Sequence, residues 1–242
     1  WVDSDAIAVK SIEEHRLWKS SERLLYSEKT GDIFSDRSMK KPISDIVAGC
    51  IVEIAGTGSE GFDVRLPDGR PGFIPAGRAV GLENLSAGEL LTPENLVSSA
   101  ESFMGIPYLW GGTSLKGFDC SGFVKTVYYL NGVILDRDAS QQFQNGIRIR
   151  ARRDSFPDSL LTGDLMFFGS SRRGRPRVTH VGMYIGNGEF IHCSGMVKIN
   201  SLDSTRTNFS RSRRDSYLGA RRIIGSPPQK GTMPLLQHDW YF

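Results

Sequence analysis

Apolar residues recur at every second position in two early stretches, Cys50, Val52 and Ile54 within GCIVEIAG at 49–56, and Phe62, Val64 and Leu66 within FDVRLPDGR at 62–70. Alternation of this kind predicts half-buried strands, with a turn at Asp68-Gly69. Pro67, Pro71 and Pro75 exclude helix there. Residues 16–82 are therefore expected to form a small β-barrel. After a polar linker at 83–92 the pattern changes. Thr92 can cap and Pro93 can start a helix over 93–104, and Gly105 suits its exit. Further on, a helical apolar face (Phe123, Val124, Val127, Tyr128) is followed by apolar strands, DLMFF at 164–168, HVGMYI at 180–185 and EFIHC at 189–193. Residues 93–225 thus predict an α+β domain. The tail at 226–242 has no period, and its aromatic end, Trp240, Tyr241 and Phe242, is expected to pack on the body.

Composition narrows the class. Of 242 residues, 39% are hydrophobic and 24% charged, which fits a folded globular chain large enough for two domains. No stretch approaches the roughly 18 apolar residues of a membrane helix, so no membrane span is expected. Three cysteines cannot build a disulfide framework, and Cys50, Cys120 and Cys193 are read singly. The net charge of +3 hides an asymmetry: residues 147–225 hold 14 Arg and one Lys against six acids. Runs such as Arg148, Arg150, Arg152, Arg153 and Arg172, Arg173, Arg175, Arg177 can face an anionic polymer or simply be solvated loop charge. They lack interleaved aromatics, so nucleic acid is not an expected partner. The chain starts at Trp1 rather than Met, so the original N-terminus is expected to lie upstream.

Candidate chemistry centres on Cys120 in GFDCSGFVKTVYYLNG, residues 117–132. Asp119 is a good N-cap and Gly132 a good exit, which puts Cys120 in the first helical turn. A free thiol is only a few per cent ionised at pH 7, and a helix N-terminus favours the anion. The alternative is a buried, inert cysteine. Cys50 on its alternating strand reads as core, and Cys193 as packing. His180 and His192 flank a hairpin, HVGMYIGNGEFIHC. A two-residue turn at Asn187-Gly188 puts them on opposite faces; a three-residue turn at 186–188 sets Gly182 opposite His192 and brings both imidazoles to one face. There His180 can take the thiol proton while His192 orients the far ring nitrogen. A zinc site through Cys120, His180 and His192 is the metal alternative, but no metal or cofactor is expected. His15 and His238 read as surface residues.

Together, PYLWGGTSLKGFDCSGFV, DRDASQQF, DLMFF and HVGMYIGNGEFIHCS strongly resemble the NlpC-type family of papain-like bacterial cell-wall cysteine peptidases, over about residues 95–225. The N-terminal module then resembles a bacterial SH3-like barrel, and residues 1–15, opening with WVDSDAI at 1–7, resemble the remnant or closing strand of another such module upstream. The resemblance implies a papain-like fold with Cys120 as nucleophile, His180 as base and His192 as the third, polar member. The Cys120 N–H and the Tyr108 hydroxyl would serve the oxyanion. Tyr108, Trp110, Asp119, Ser121 and Arg137 match groove positions. Where relatives carry Arg-Asp-Ser, this chain has Arg137, Asp138, Ala139 and then Ser140, so either the substrate-contacting serine is absent or Ser140 substitutes with altered geometry.

The resemblance further implies hydrolysis of the γ-D-glutamyl to diamino acid bond of peptidoglycan stem peptides, with an SH3-like part that blocks the groove and requires a free N-terminal L-Ala. The protein is then expected to be exported to the periplasm or cell surface, and monomeric. Two alternatives stand beside it: an N-acetylmuramoyl-L-alanine amidase or acyltransferase using the same site, and an inactive wall-binding module.

Overall fold

The computed structural model describes residues 7–150 and 159–242. Of the strand remnant expected at 1–15, residues 1–6 lie outside the described residues, as do Arg152 and Arg153, and residues 7–15 hold no strand, 12–15 being helical. The chain forms two compact units, one running to Leu85 and including Leu236–Phe242, the other Ser86–Leu235.

The first unit opens with helix α1 (Ile12–Ser20), where β structure is expected from residue 16. Its cause is local: the Ser11 side chain accepts from the Glu14 N–H while the Glu14 carboxylate takes the Ser11 N–H, a reciprocal capping box. Seven short strands follow, β1 (Arg23–Tyr26), β2 (Thr30–Phe34), β3 (Pro42–Val47), β4 (Ile51–Gly58), β5 (Gly61–Arg65), β6 (Pro71–Pro75) and β7 (Ala79–Gly81). They form one sheet in the order β3-β2-β6-β5-β4-β1-β7, around Leu24, Ile33, Val52, Val64 and Ile74. Among the described residues its end strands β3 and β7 do not pair, so the sheet is not seen to close into the expected small β-barrel. The Arg23 guanidinium lies over the Trp18 and Phe242 rings, 4.7 Å from each centroid, and donates to the Tyr241 carbonyl. His15 Nε2 meets the Trp240 carbonyl oxygen at 3.1 Å, and both His15 and His238 are half-buried.

The second unit contains helices α2 (Ala87–Leu90) and α3 (Pro93–Glu101), strands β8 (Thr113–Ser114) and β9 (Gly117–Phe118), helix α4 (Cys120–Leu130), strand β10 (Val133–Leu135), helix α5 (Ala139–Gln142), strands β11 (Ile147–Ile149), β12 (Leu165–Arg172), β13 (Arg175–Gly186), β14 (Glu189–Ser194) and β15 (Met196–Ser201), helix α6 (Arg211–Ser216), and strands β16 (Tyr217–Arg222) and β17 (Thr232–Pro234). Thr92 caps α3 through the Asn95 N–H, but the helix stops at Glu101 rather than 104, because the following residues close tighter turns with Phe103 N–H on Ala100 O and Met104 N–H on Glu101 O. The main sheet runs β11-β16-β12-β13-β14-β15. Phe123, Val124 and Val127 of α4 are buried with Phe167, Val181, Met183, Ile191 and Cys193 from the sheet. None of the described helices is long and apolar enough to cross a membrane.

Candidate active site

Cys120 is the first residue of α4, and Asp119 caps the helix by accepting the Gly122 N–H at 2.7 Å. The N–H groups of Cys120, Ser121 and Val181 approach the sulfur and favour the thiolate, but burial outweighs them and pushes the thiol above its ordinary range; Asp119 pushes the same way. The helix N-terminus, which by itself favours the anion, is thus offset at Cys120 by burial. Among the described residues no hydrogen bond joins Cys120 to His180. The link is through Val181, the residue after that histidine.

The two histidines reach one face by a route the spacing alone does not reveal. The hairpin turn has two residues, Asn187 and Gly188, both with positive φ, and Gly186 pairs with Glu189. A bulge at Ile185 then shifts the register, so that Tyr184 faces Phe190 and Met183 faces Ile191. His192 consequently stands opposite Gly182, as a three-residue turn would have placed it. Odd-numbered Val181, Met183, Ile191 and Cys193 enter the core under α4, while His180 and His192 share the other face beside Phe168 and Phe190. A Cβ on Gly182 would lie 3.0 Å from the His192 Cβ, so the glycine gives the rings their room.

The hydrogen bonds there run in one direction. Asn200 Nδ2 donates to the Asn208 carbonyl at 3.0 Å, which turns Oδ1 toward His192 Nε2 at 2.9 Å. An oxygen in that position accepts, so His192 carries its proton on Nε2 and its Nδ1 is a lone pair. That lone pair accepts from His180 Nε2–H at 2.7 Å. The remaining nitrogen, His180 Nδ1, is therefore a bare acceptor. Burial keeps both rings neutral, His180 well below 6.5 and His192 down to about 4, with the Arg213 and Lys198 charges acting in the same sense. Asn200 is the residue missed by sequence reasoning. Its signal is the tight turn at Gly195, which pairs Ser194 with Met196 and His192 with Lys198, so that even-numbered residues of β15 share the histidine face.

The remaining candidates divide. Asp119, Ser121 and Arg137 form one cluster: Arg137 Nη1 and Nη2 reach the Asp119 carboxylate at 3.0 and 2.5 Å, and Nη1 also reaches Ser121 Oγ at 3.1 Å. Burial opposes ionisation of Asp119, but the Arg137 and backbone N–H bonds outweigh it and hold the carboxyl below its ordinary range. Tyr108 is 37% exposed, and burial followed by Cys120 raises its hydroxyl. Trp110 is 87% exposed, without a polar or ring contact among the described residues. Ser140 is exposed on α5, and its hydroxyl is not brought to the Arg137 cluster; buried Ala139 occupies the inward position. Cys193 donates to the Phe118 carbonyl at 3.1 Å, burial raises it to about 12, and it packs as an inert thiol. Among the described residues no group of three or more His, Cys, Asp or Glu could hold a metal ion.

Residues 105–214 match the NlpC/P60 family model. A gamma-D-glutamyl-L-lysine dipeptidyl-peptidase of Bacillus cereus (strain ATCC 10987 / NRS 248) is 31% identical over 206 residues, covering 83% of this chain and 57% of that protein. An enzyme of the same name from Bacillus subtilis (strain 168) is 39% identical over 121 residues, 50% of this chain and 38% of the relative. The crystal structure of an NlpC/P60 family protein from Bacillus cereus ATCC 10987 superposes with a TM-score of 0.73 at 27% identity, covering 87% of this chain and 66% of that one.

Proposed function

Because the chain belongs to the NlpC/P60 family, we propose that it is a cysteine peptidase hydrolysing the bond between γ-D-glutamate and a diamino acid in peptidoglycan stem peptides that carry a free N-terminal L-Ala. The observation that supports this most is the one-way hydrogen-bond path from Asn200 through His192 to His180, which leaves a bare Nδ1 on the residue before Val181. The relatives' names agree with it, since a dipeptidyl-peptidase releases two residues from an amino end.

In this mechanism His180 Nδ1 takes the Cys120 proton as the sulfur attacks the γ-carbonyl carbon. The Cys120 N–H and the Tyr108 hydroxyl, which makes no hydrogen bond among the described residues, stabilise the oxyanion. The C–N bond breaks, the imidazolium returns its proton to the leaving amine, and a thioester remains. Water then hydrolyses the thioester with His180 again as base. His192 and Asn200 hold the ring in the accepting tautomer throughout. Burial disfavours both the thiolate and the imidazolium, so in this mechanism the proton moves as the sulfur attacks. Asp119, Ser121 and Arg137 supply the polar floor of the acyl side. The sheet of the first unit is assigned to an SH3-like module, and the protein acts as an exported monomer at the wall.

The test is digestion of L-Ala-γ-D-Glu-meso-diaminopimelate, with products weighed by mass spectrometry. Wild type is expected to release L-Ala-D-Glu and diaminopimelate, and Cys120→Ala to lose more than about 10³-fold of the rate. Full cleavage by Cys120→Ala would end the mechanism. Release of muramyl-free L-Ala peptides from muropeptides alone would move the assignment to an amidase.

A further inference from the structure

Strands β12 and β13 run on past their neighbours. Residues 165–168 pair with β16 and 183–186 with β14, whereas, among the described residues, 169–172 and 175–178 pair only with each other, as a two-stranded ribbon. Ser170 stands opposite Arg177 and Arg172 opposite Arg175, and residues two apart along a strand share a face. Arg172, Arg175 and Arg177 therefore stand together on one face. A bulge at Thr179 brings them there: Phe168 pairs with His180 but Gly169 with Val178, so odd-numbered residues before the bulge take the side that even-numbered ones hold after it.

Two features of this ribbon oppose its own stability. Like charges directly opposite each other on adjacent strands are destabilising, and Arg172 faces Arg175. The turn between them is Arg173-Gly174, with φ of 52° and 75°. That left-handed region favours Gly, Asn or Asp, yet its first position is a further arginine. Arg172, Arg173, Arg175 and Arg177 are all exposed, and none meets a carboxylate among the described residues. Solvation explains an exposed arginine, but not an opposed pair with another arginine at the turn between them. An anion laid along the face relieves the repulsion.

At its base the face runs into a groove of about 450 Å³ lined by Ser170, Arg177 and Thr179 and, from α6, by Ser212, Arg213 and Ser216. Arg213 is half-buried without a carboxylate partner among the described residues, whereas Arg211 on the same helix is paired with Asp215 at 3.8 Å. Cations in a row beside hydroxyls fit a linear polyanion, and their spacing restricts it. Arg175 and Arg177 lie two strand positions apart, about 7 Å. Duplex DNA carries a charge about every 1.7 Å of its axis, and no aromatic side chain lines the groove to stack a base. A polyol phosphate carries one phosphodiester per short polyol, which spaces its charges more widely, and offers free hydroxyls to the four hydroxyl side chains of the groove. The guanidinium fork takes two oxygens of each phosphate.

We propose that the arginine face of the β12–β13 ribbon, with the Arg213 groove at its base, binds a linear polyol phosphate and holds the protein on it. The proposal uses none of the residues assigned to the peptidase reaction and stands independently of it.

The test measures the affinity of the protein for labelled poly(glycerol phosphate) by fluorescence anisotropy across a salt series, with urea unfolding of each variant as the folding control. Wild type is expected to bind, and more weakly as salt rises. The triple variant Arg172→Gln, Arg175→Gln, Arg177→Gln is expected to lose at least about tenfold in affinity and to flatten the salt dependence. Arg175→Glu, which gives Arg172 an opposite charge, should also weaken binding while raising the urea midpoint. Arg16→Gln, in the first unit and paired with Glu13, leaves binding unchanged. No binding by wild type, undiminished binding by the triple variant, or equally tight binding of duplex DNA or polyglutamate at the same charge concentration overturns the proposal. None of these readouts depends on Cys120, so the peptidase reading stands or falls separately.

Discussion

At the scale of single residues the site is a matter of which nitrogen holds a proton. In the proposed mechanism Asn200 acts through His192 rather than on substrate; its Oδ1 faces His192 Nε2 because the Asn208 carbonyl fixes its amide. Asn200→Leu is expected to lower kcat by about 10²-fold with little change in KM, since the wrong His192 tautomer would leave His180 without a directed lone pair. Asn200→Asp, which keeps the acceptor, should retain most of kcat and move the acid limb of the pH profile upward, because a carboxylate stabilises the His192 cation. Steady-state kinetics on both variants checks the pair, and equal loss of kcat in the two, with no shift in pH profile, would mean a packing role only. The roles of Asp119 as a cap and of Cys193 as packing were legible from residue type and spacing. The state of Cys120 was not, because helix position predicts stabilisation of the anion while burial, a tertiary quantity, sets the opposite sign.

Among elements, the β13–β14 hairpin decides whether two histidines face each other or opposite sides of a sheet. Sequence spacing left two registers open, and the fold takes a third route, a two-residue turn corrected by the bulge at Ile185. A bulge adds one residue and changes the face of everything beyond it, yet apolar alternation on either side reads the same. That is why strands were legible at 180–193 but their register was not. Helix α1 was missed for a different reason: its capping box lies before a stretch with no buried residue, so the apolar pattern is silent there. Gly182 is where the hairpin meets the chemistry. Gly182→Ala would press on the His192 Cβ and the Phe190 ring, both at 3.0 Å, and should destabilise by about 1–3 kcal/mol while lowering kcat. Urea unfolding together with kcat measures both, and a fully active, equally stable variant would contradict this use of the glycine.

For the molecule as a whole, the buried neutral pair couples stability to pH. His192 protonates near 6.5 when unfolded but only near about 4 when folded, and His180 is displaced in the same direction. Between those limits the unfolded chain binds more protons, so stability is complete above about pH 6.5 and declines as pH falls, with His192 contributing up to about 3 kcal/mol of the loss by pH 4. Urea midpoints measured between pH 7 and pH 4 should decline, and the decline should be shallower in His192→Asn; parallel curves would remove His192 as the source. The distribution of the chain between its two units has a consequence of another kind. The small unit takes residues before Ser86 and again Leu236–Phe242, and the second contribution supplies the Phe242 ring over Arg23 and the Tyr241 carbonyl it donates to. A ribosome delivers these two parts some 150 residues apart, so during synthesis the small unit waits, with Arg23 lacking its Tyr241 and Phe242 partners, until Ser86–Leu235 has emerged. The order of birth and the order of completion are thus reversed for these two units, and a nascent chain would finish Ser86–Leu235 before the small unit.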